Sequence, residues 1–441
     1  MKPIKMAFVI FLGLISVLWW VSDQSDFSAL NGVFAWRGVL TQYSGVIAMA
    51  VMSVAMILSL RLPVLERVLD GLDKMYRLHK WLGITALGVS ISHWLIVKGP
   101  KWAVGWGWLE RGVRSPRPKL TDGSIQQLFA SQRGLAETVG EWAFYLAVVL
   151  MLLALLKAFP YRRFFQTHRI LAVTYLAFVF HSVILVKFQY WDRPIGMVLM
   201  LLLLGGTISA VLGLMRKRLG GSRVDGEVLA LDWQPEMQCL AVEVSVGPDW
   251  PGHTAGQFAF VTFHAEEGPH PYTIASAWRD DGQVRFVIKA LGDYTRTLAN
   301  RLQLGDRVTL EGPYGQFNFQ GQGRQQIWVS GGIGVTPFMA RMQALAAQPE
   351  AGCVDFFHCG ANMAPEVLQR LECDATEAKV NLHLFLGRRL QTADLVAHVP
   401  DWKDAEVWFC GPAAFGQHLY TNLCQLGLPP AQFHRELFEM R

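Results

Sequence analysis

The chain has 441 residues, 52% of them apolar and only 17% charged, with a net charge of +5. An average soluble protein carries about 25% charged residues, so this balance excludes a disordered chain, a coiled coil and a small disulfide scaffold. The mild positive charge fits a membrane protein with basic edges better than a nucleic-acid binder. All six cysteines lie beyond residue 238: Cys239, Cys353, Cys359, Cys373, Cys410 and Cys424. They match no zinc or disulfide spacing, and free thiols suit a reducing compartment, so the C-terminal half is expected in the cytoplasm.

Six apolar runs precede residue 217, over roughly 6–22, 37–60, 80–97, 140–158, 170–188 and 195–215. Each is near the length that crosses about 30 Å of hydrocarbon. The first follows Lys2 and Lys5, as a signal peptide would. No small-x-small cleavage site follows it, and it continues through Trp19 and Trp20, so it reads as a retained helix. Basic clusters at Lys2/Lys5, Arg61 to Lys80, Lys157 to Arg169 and Arg216 to Arg223 fall on alternate connections and at both ends. The positive-inside tendency then places both ends of the bundle on the cytoplasmic side. The segment from about 98 to 138 falls outside by this count, yet it carries Lys98, Lys101, Arg111, Arg114, Arg117, Lys119 and Arg133. An outer basic loop suits an anionic ligand.

Residues 1–220 contain four histidines, His79, His93, His168 and His181, paired within runs three and five. Spacings of 14 and 13 residues separate each pair by about 20 Å along a helix. Run orientation puts His79 and His168 near the cytoplasmic side and His93 and His181 near the outside. Two levels with two imidazoles each can hold two haems, each iron ligated from both faces. A packed, hydrogen-bonding histidine is the ordinary alternative, and four at two matched depths argue against it. Thirteen residues leave His168 and His181 about 140° apart on an ideal helix, so run five must bulge, kink or bend.

Beyond Arg216 the pattern changes. Residues 224–322 alternate, as in VLALDW, LAVEVSV, FAFVTFH, VRFVIKAL and RVTLEG, which predicts a small antiparallel barrel. Residues 323–441 alternate apolar strands (QQIWVS, VDFFH, NLHLFL, EVWFC) with helical stretches, which predicts a parallel α/β sheet. QQIWVS runs into Gly331, Gly332, Ile333, Gly334, Val335, Thr336 and Pro337, then a helical segment. A glycine turn entering a helix N-terminus is suited to a pyrophosphate.

Together and in this order these marks resemble the ferric reductase / NADPH oxidase superfamily, in its short bacterial form. The histidine pairs, His270-Pro271-Tyr272-Thr273 with Ser276, the GGIGVTP turn and Cys410-Gly411-Pro412 carry the resemblance. It implies a six-helix transmembrane di-haem domain (1–217), an FAD-binding β-barrel (218–322) and an NAD(P)H-binding α/β domain (323–441), the last two like ferredoxin–NADP reductase. His79, His93, His168 and His181 would ligate two b-type haems. Tyr272 would pack on the isoalloxazine, Thr273 would bond near its reactive edge, and His270 and Ser276 would hold the ribityl or phosphate portion. Gly256-Gln257-Phe258 resembles the family's PGQF strand, with Thr254-Ala255 in place of the expected proline. Ile288, Lys289 and Gly292 to Thr295 resemble the second flavin segment, and Gly312 to Gly315 the turn joining the two domains. Gly331, Gly332, Gly334, Thr336 and Pro337 would meet the dinucleotide. Cys410, followed by Gly411, would sit near the nicotinamide, Phe438 would cover the flavin ring, and Glu436 would lie nearby. NADPH or NADH would reduce FAD, and electrons would pass by the two haems to an outer acceptor. Dioxygen is the first choice, giving superoxide. A ferric chelate and a periplasmic protein partner are the alternatives. The outer loop, with Trp102, Trp106 and Trp108, and Arg193 are candidates to serve that acceptor. For the cofactor's 2′-phosphate the loop His358 to Asn362 offers no arginine, and Arg388 and Arg389 are the candidates, so use of both cofactors is expected. The resemblance implies a bacterial inner-membrane protein with the dehydrogenase half cytoplasmic, in a lipid bilayer and without nucleic acid.

Overall fold

The computed structural model describes residues 2–23, 25, 27–110, 123–156, 159–215, 222–321, 325–350, 352–360 and 363–436. The chain forms two compact units, one of helices and one made mostly of the described residues from 222 onward. In the first, the helices are α1 (Lys2–Ser22), α2 (Val33–Leu58), the short α3 (Pro63–Val68), α4 (Leu72–Gly105), α5 (Ile125–Leu155), α6 (Tyr161–His168), α7 (Ile170–Leu185) and α8 (Pro194–Leu214). With α6 and α7 taken as one span, six are long and apolar enough to cross a bilayer. The chain is a multi-pass membrane protein.

Two boundaries differ from expectation. α4 has 34 residues, about 50 Å, well beyond the hydrocarbon thickness. α5 begins at Ile125, where the Ser124 hydroxyl accepts the Gln127 N–H at 3.2 Å as an N-cap. Most of the described part of the expected outer loop is therefore helix. Its charges are partly paired: Lys98 meets Glu141 at 2.6 Å and Arg133 meets Glu137 at 3.0 Å. Arg111, Arg114, Arg117 and Lys119 lie outside the described residues. Inside the bundle α5 packs on α7, and α2 on α8. A Cβ at Gly206 would come within 2.1 Å of the Tyr175 hydroxyl. A residue without a side chain lets α8 approach, and Tyr175 bonds to Ser53 at 2.8 Å.

The second unit holds two sheets. β1 (Ser222–Gln234), β2 (Cys239–Val246), β3 (Phe258–Thr262), β4 (His270–Thr273), β5 (Gln283–Lys289) and β6 (Arg307–Tyr314) form an antiparallel sheet in the order β4-β3-β6-β1-β2-β5. A bridge between Ile274 and Phe286 brings its two edges together, so the barrel is nearly closed. α9 (Asp293–Arg301) lies between β5 and β6. Every second residue points inward, and Val242, Val244, Val284, Phe286 and Leu310 fill the interior. The other sheet is parallel, in the order β11-β10-β7-β8-β9. Its strands are β7 (Gln325–Gly331), β8 (Cys353–Gly360), β9 (Asn381–Leu386), β10 (Glu406–Cys410) and β11 (Phe433–Arg435), with helices α10 (Thr336–Ala347), α11 (Pro365–Glu377), α12 (Thr392–His398) and α13 (Ala413–Gln425). One face buries Trp328, Phe338, Phe356 and Trp408, and the other Val329, Phe357, Phe409 and Leu423. Burial on both faces explains why these strands are nearly all apolar.

The end of α1 is tied into the bundle. The Asp23 side chain is fully buried. It accepts from Lys187 Nζ at 2.9 Å, from the Tyr190 hydroxyl, and from the Ser25 N–H at 2.8 Å. Trp19 Nε1 donates to Tyr190 at 3.1 Å, and Ser22 accepts the Ile195 N–H at 3.3 Å. α1 is thus part of the packed bundle, and it holds the connection that follows α7. Asp23→Ala leaves a buried phenol and a half-buried ammonium without their acceptor. We expect a loss of about 3 kcal/mol, read as a lower melting temperature in detergent, with Asp23→Asn less severe.

Candidate functional site

α4 carries His79 and His93, α6 ends on His168, and α7 carries His181. The structure brings them together in the expected pairs. The His79 and His168 ring centroids are 6.0 Å apart, and those of His93 and His181 6.4 Å. The phase problem in run five is met by a break at Arg169. There the helical ladder is interrupted, and the Ala172 N–H bonds back only three residues, to the Arg169 carbonyl at 3.1 Å.

Three of the four imidazoles share one hydrogen-bonding pattern. His79 Nδ1 bonds to the Ala55 carbonyl at 3.0 Å and His181 Nδ1 to the Ala136 carbonyl at 2.8 Å. A carbonyl only accepts, so both Nδ1 atoms carry the proton. His93 Nδ1 meets the Ser44 hydroxyl at 2.9 Å, and that hydroxyl donates to the Leu40 carbonyl at 2.6 Å. It therefore accepts from His93. In these three rings Nε2 keeps the lone pair. His168 Nδ1 is buried and has no hydrogen-bond partner among the described residues, but Phe164 stacks on the ring at 5.0 Å.

These pairs fit a haem. Two metal–imidazole bonds of about 2 Å, plus the two ring radii, separate opposed centroids by about 6 Å. Among the described residues no group of three or more His, Cys, Asp or Glu could hold a bare metal ion. A porphyrin supplies its own four nitrogens and needs only the two axial ones. Space is made by small residues: Gly83, Ala86 and Ser90 share the histidine face of α4. A Cβ at Gly140 would lie 2.0 Å from His181 Nδ1, and one at Gly45 would lie 3.4 Å from His93 Cε1. The sequence does not point to Ser44, Gly45, Ala55, Ala136 or Gly140, since a lone hydroxyl, a carbonyl or a close approach leaves no residue signature.

In the barrel, Thr273 pairs with Phe258 and Tyr272 with Ala259, which places the HPYT segment on an edge strand beside the GQF strand. Pro271 is tolerated at such an edge. His270 stacks on Tyr294 at 4.9 Å and on Tyr272 at 6.3 Å. Burial pushes His270 down to about 4, so at neutral pH it is an uncharged donor and no counter-cation for a phosphate. The Ser276 hydroxyl accepts the Arg285 N–H at 3.1 Å, and His253 Nε2 donates to its carbonyl at 2.9 Å. Ile288 and Lys289 end β5, and Gly292 precedes α9. The Thr295 hydroxyl accepts the N–H groups of Leu291 and Gly292 at 3.1 and 3.0 Å, fixing that turn. His253 is an addition that the motifs did not contain, and Tyr294, within the second flavin segment, gains a specific place against His270.

In the parallel sheet, the glycine turn links β7 to α10 as expected, with Pro337 in the first turn of the helix. Gly332 has φ +56 and open space where a side chain would be. The other glycines serve a different purpose. A Cβ at Gly334 would lie 2.2 Å from the Cys410 carbonyl, and one at Gly331 would lie 2.7 Å from Pro412. The GGIG turn and the Cys410-Gly411-Pro412 turn therefore pack backbone to backbone at adjacent strand ends. The Thr336 hydroxyl donates to the Ile333 carbonyl at 3.2 Å. Cys410 is buried, and burial, then the Glu436 carboxylate, pushes its thiol far up, so it stays protonated. Phe438 lies outside the described residues. His358 is a strand residue bonded to Ser330 at 2.7 Å. Arg388 is held by Asp394 at 3.1 Å and lies over Phe385, while Arg389 beside it is exposed.

Comparison with known families separates the two halves in the same way. The ferric reductase like transmembrane component matches residues 44–179, and an FAD-binding domain matches residues 234–318. These two matches support the resemblance to the ferric reductase / NADPH oxidase superfamily, with an FAD-binding half fused to the membrane half. Among curated proteins it is similar to the flavohemoprotein of Vibrio cholerae, at 28% identity over 32% of this chain and 37% of that one. The flavohemoprotein of Pseudomonas putida is 30% identical over 37% and 45%. The carnitine monooxygenase reductase subunit of Escherichia coli is 25% identical over 44% and 61%. The chain thus spans roughly a third to three fifths of the length of these relatives. Among solved structures, the flavohem-like FAD/NAD binding domain of nitric oxide dioxygenase from Vibrio cholerae shares 21% identity, with a TM-score of 0.41, covering 49% of this chain and 98% of that one.

Acid sensitivity of the reductase half follows from its buried histidines. Burial lowers His253, and it brings both His270 and His358 down to about 4, whereas an unfolded histidine titrates near about 6.5. Between those values the unfolded chain binds more protons, so stability falls as pH drops through that window. We expect flavin release to follow this loss in an acid titration, and His358→Gln to flatten it.

Proposed function

We propose that this protein carries electrons from cytoplasmic NAD(P)H across a bacterial inner membrane through FAD and two b-type haems to dioxygen outside, as an NAD(P)H oxidase producing superoxide. The observation that carries the reading is the pair of opposed imidazole couples at two depths of one helical bundle. The matched families support the parts: a ferric-reductase-like membrane half and an FAD-binding half. When bound, FAD would divide a hydride's two electrons into single ones, which each haem iron can accept.

The chain's residues supply position. His79 and His168 would hold one haem, and His93 and His181 the other. Each haem held by two imidazoles would have both protein ligands supplied by the chain, and the acceptor would then be reduced without binding the metal. By span counting, the starts of the third and fifth spans and the end of the sixth share a side. His79 and His168 would then lie near the cytoplasmic side, and His93 and His181 nearer the outer face. Tyr272 and Thr273 would bear on the flavin ring, with Gly292 to Thr295 at its pyrophosphate. The two packed glycine turns would receive the nicotinamide dinucleotide, with the protonated Cys410 beside the reacting carbon. Phe438 would cover the flavin until nicotinamide displaces it.

On the outer side, α4 extends its helix through Trp102 and Lys101 past the expected bilayer edge. An exposed aromatic and basic surface also suits a ferric chelate, the second reading, or a periplasmic protein partner. Arg389, exposed beside the Arg388 that Asp394 holds, is the candidate for a 2′-phosphate, and both NADH and NADPH should serve.

Detergent-purified protein supplemented with FAD and kept anaerobic tests the reading. Addition of NADH or NADPH should bleach the flavin and bring up reduced b-type haem bands, and admitted oxygen should reoxidise them with superoxide release. Bleached flavin beside oxidised haem would overturn it. Reoxidation by ferric chelate but not by oxygen would select the second reading. A preference for one nucleotide above about 100-fold, or 2.7 kcal/mol, would contradict dual use. Gly140→Ala, whose new Cβ meets His181, should lose the outer haem and keep flavin bleaching.

A further inference from the structure

The Cys410 end of the parallel sheet is finished by β11, an edge strand of three residues. It pairs Val407 with Phe433, Trp408 with His434, and Phe409 with Arg435. Three residues give few ladder bonds to hold a register, and a slip of one residue would turn every side chain to the other face. His434 supplies a second constraint. Its ring lies flat on Trp408, with centroids 4.0 Å apart and planes at 16°. Its Nε2 meets the Glu406 carboxylate at 2.7 Å. Glu406 is 5% exposed and Trp408 2%, so both anchors are fixed in the sheet. They stand two residues apart on β10 and share a face, so His434 is gripped at two points along the strand direction.

The same alternation decides where Glu436 goes. Trp408 and Cys410 share a face of β10, and Glu436 follows His434 by two residues on the neighbouring segment. The Glu436 carboxylate acts on the Cys410 thiol. Its Oε1 also lies 3.2 Å from where a Cβ on Gly315 would stand. A shift of β11 by one residue would move Glu436 about 3.3 Å along the sheet and turn it away from Cys410.

We propose that His434 is a positioning residue, whose two-point attachment to Trp408 and Glu406 sets the register that holds the Glu436 carboxylate beside Cys410. This rests on the hydride site proposed at Cys410. His434 acts through Glu436.

The test uses the full chain, loaded with FAD and kept anaerobic, with flavin bleaching by NADPH followed in a stopped-flow instrument. His434→Ala should slow maximal bleaching about tenfold through misplacement of Glu436, with FAD content and the NADPH concentration for half-maximal rate unchanged. His434→Gln keeps a donor toward Glu406 and should recover most of the rate. In a Glu436→Gln background, His434→Ala should have no further effect. A wild-type rate in His434→Ala overturns the proposal. So does an equal slowing in both backgrounds, which would mark a general structural role. If Glu436→Gln and Cys410→Ala both bleach like wild type, the hydride site itself is misplaced and the inference falls with it.

Discussion

An imidazole can serve as an axial ligand only if one nitrogen keeps its lone pair and points at the metal. Inside an apolar bundle that condition is demanding, because a buried polar group without a partner is costly. The helices meet it by giving Nδ1 an acceptor. Ala55, Ala136 and Ser44 take the protons of His79, His181 and His93. Each of these bonds fixes both the tautomer and the ring orientation, which is how outer partners tune metal ligands. His168 stands apart, with aromatic stacking from Phe164 where the others have a hydrogen bond. α2 contributes no ligand, yet Ser44 and Ala55 make it the template against which both histidines of α4 are set.

Close backbone approach is the second constraint, and it recurs in both units. Gly140 lets α5 come up to His181, and Gly206 lets α8 come up to Tyr175. In the sheet, Gly331 and Gly334 let one turn lie on another at the ends of β7 and β10. In each place one methyl group would open a gap of an ångström or more between groups whose relative position matters. Electron and hydride transfer need no large motion, so rigid packing is the appropriate design for such sites.

Much of this was legible in the residues, for physical reasons. Histidine is rare enough in apolar runs that two spaced pairs stood out, and the 13-residue spacing already required the irregularity found at Arg169. The alternating and continuous apolar patterns separated barrel from parallel sheet, because one sheet buries a single face and the other buries two. The extension of α4 was hidden by Lys98, Pro100 and Lys101, which end an apolar run without ending a helix. Ala55 and Ala136 act through carbonyl oxygens that every residue possesses, so no motif could show them. The glycines of GGIGVTP suggest room for a pyrophosphate, and two of them prove to be room for Cys410 and Pro412.

The central claim is that two haems are held at two depths by two specific imidazole couples. Haem content per chain, measured in purified single variants, tests it most directly. His79→Ala and His168→Ala should each lose the same haem, His93→Ala and His181→Ala should each lose the other, and all four should retain FAD. Full haem content in any of the four, or the loss of a different haem by two members of one couple, would contradict the account.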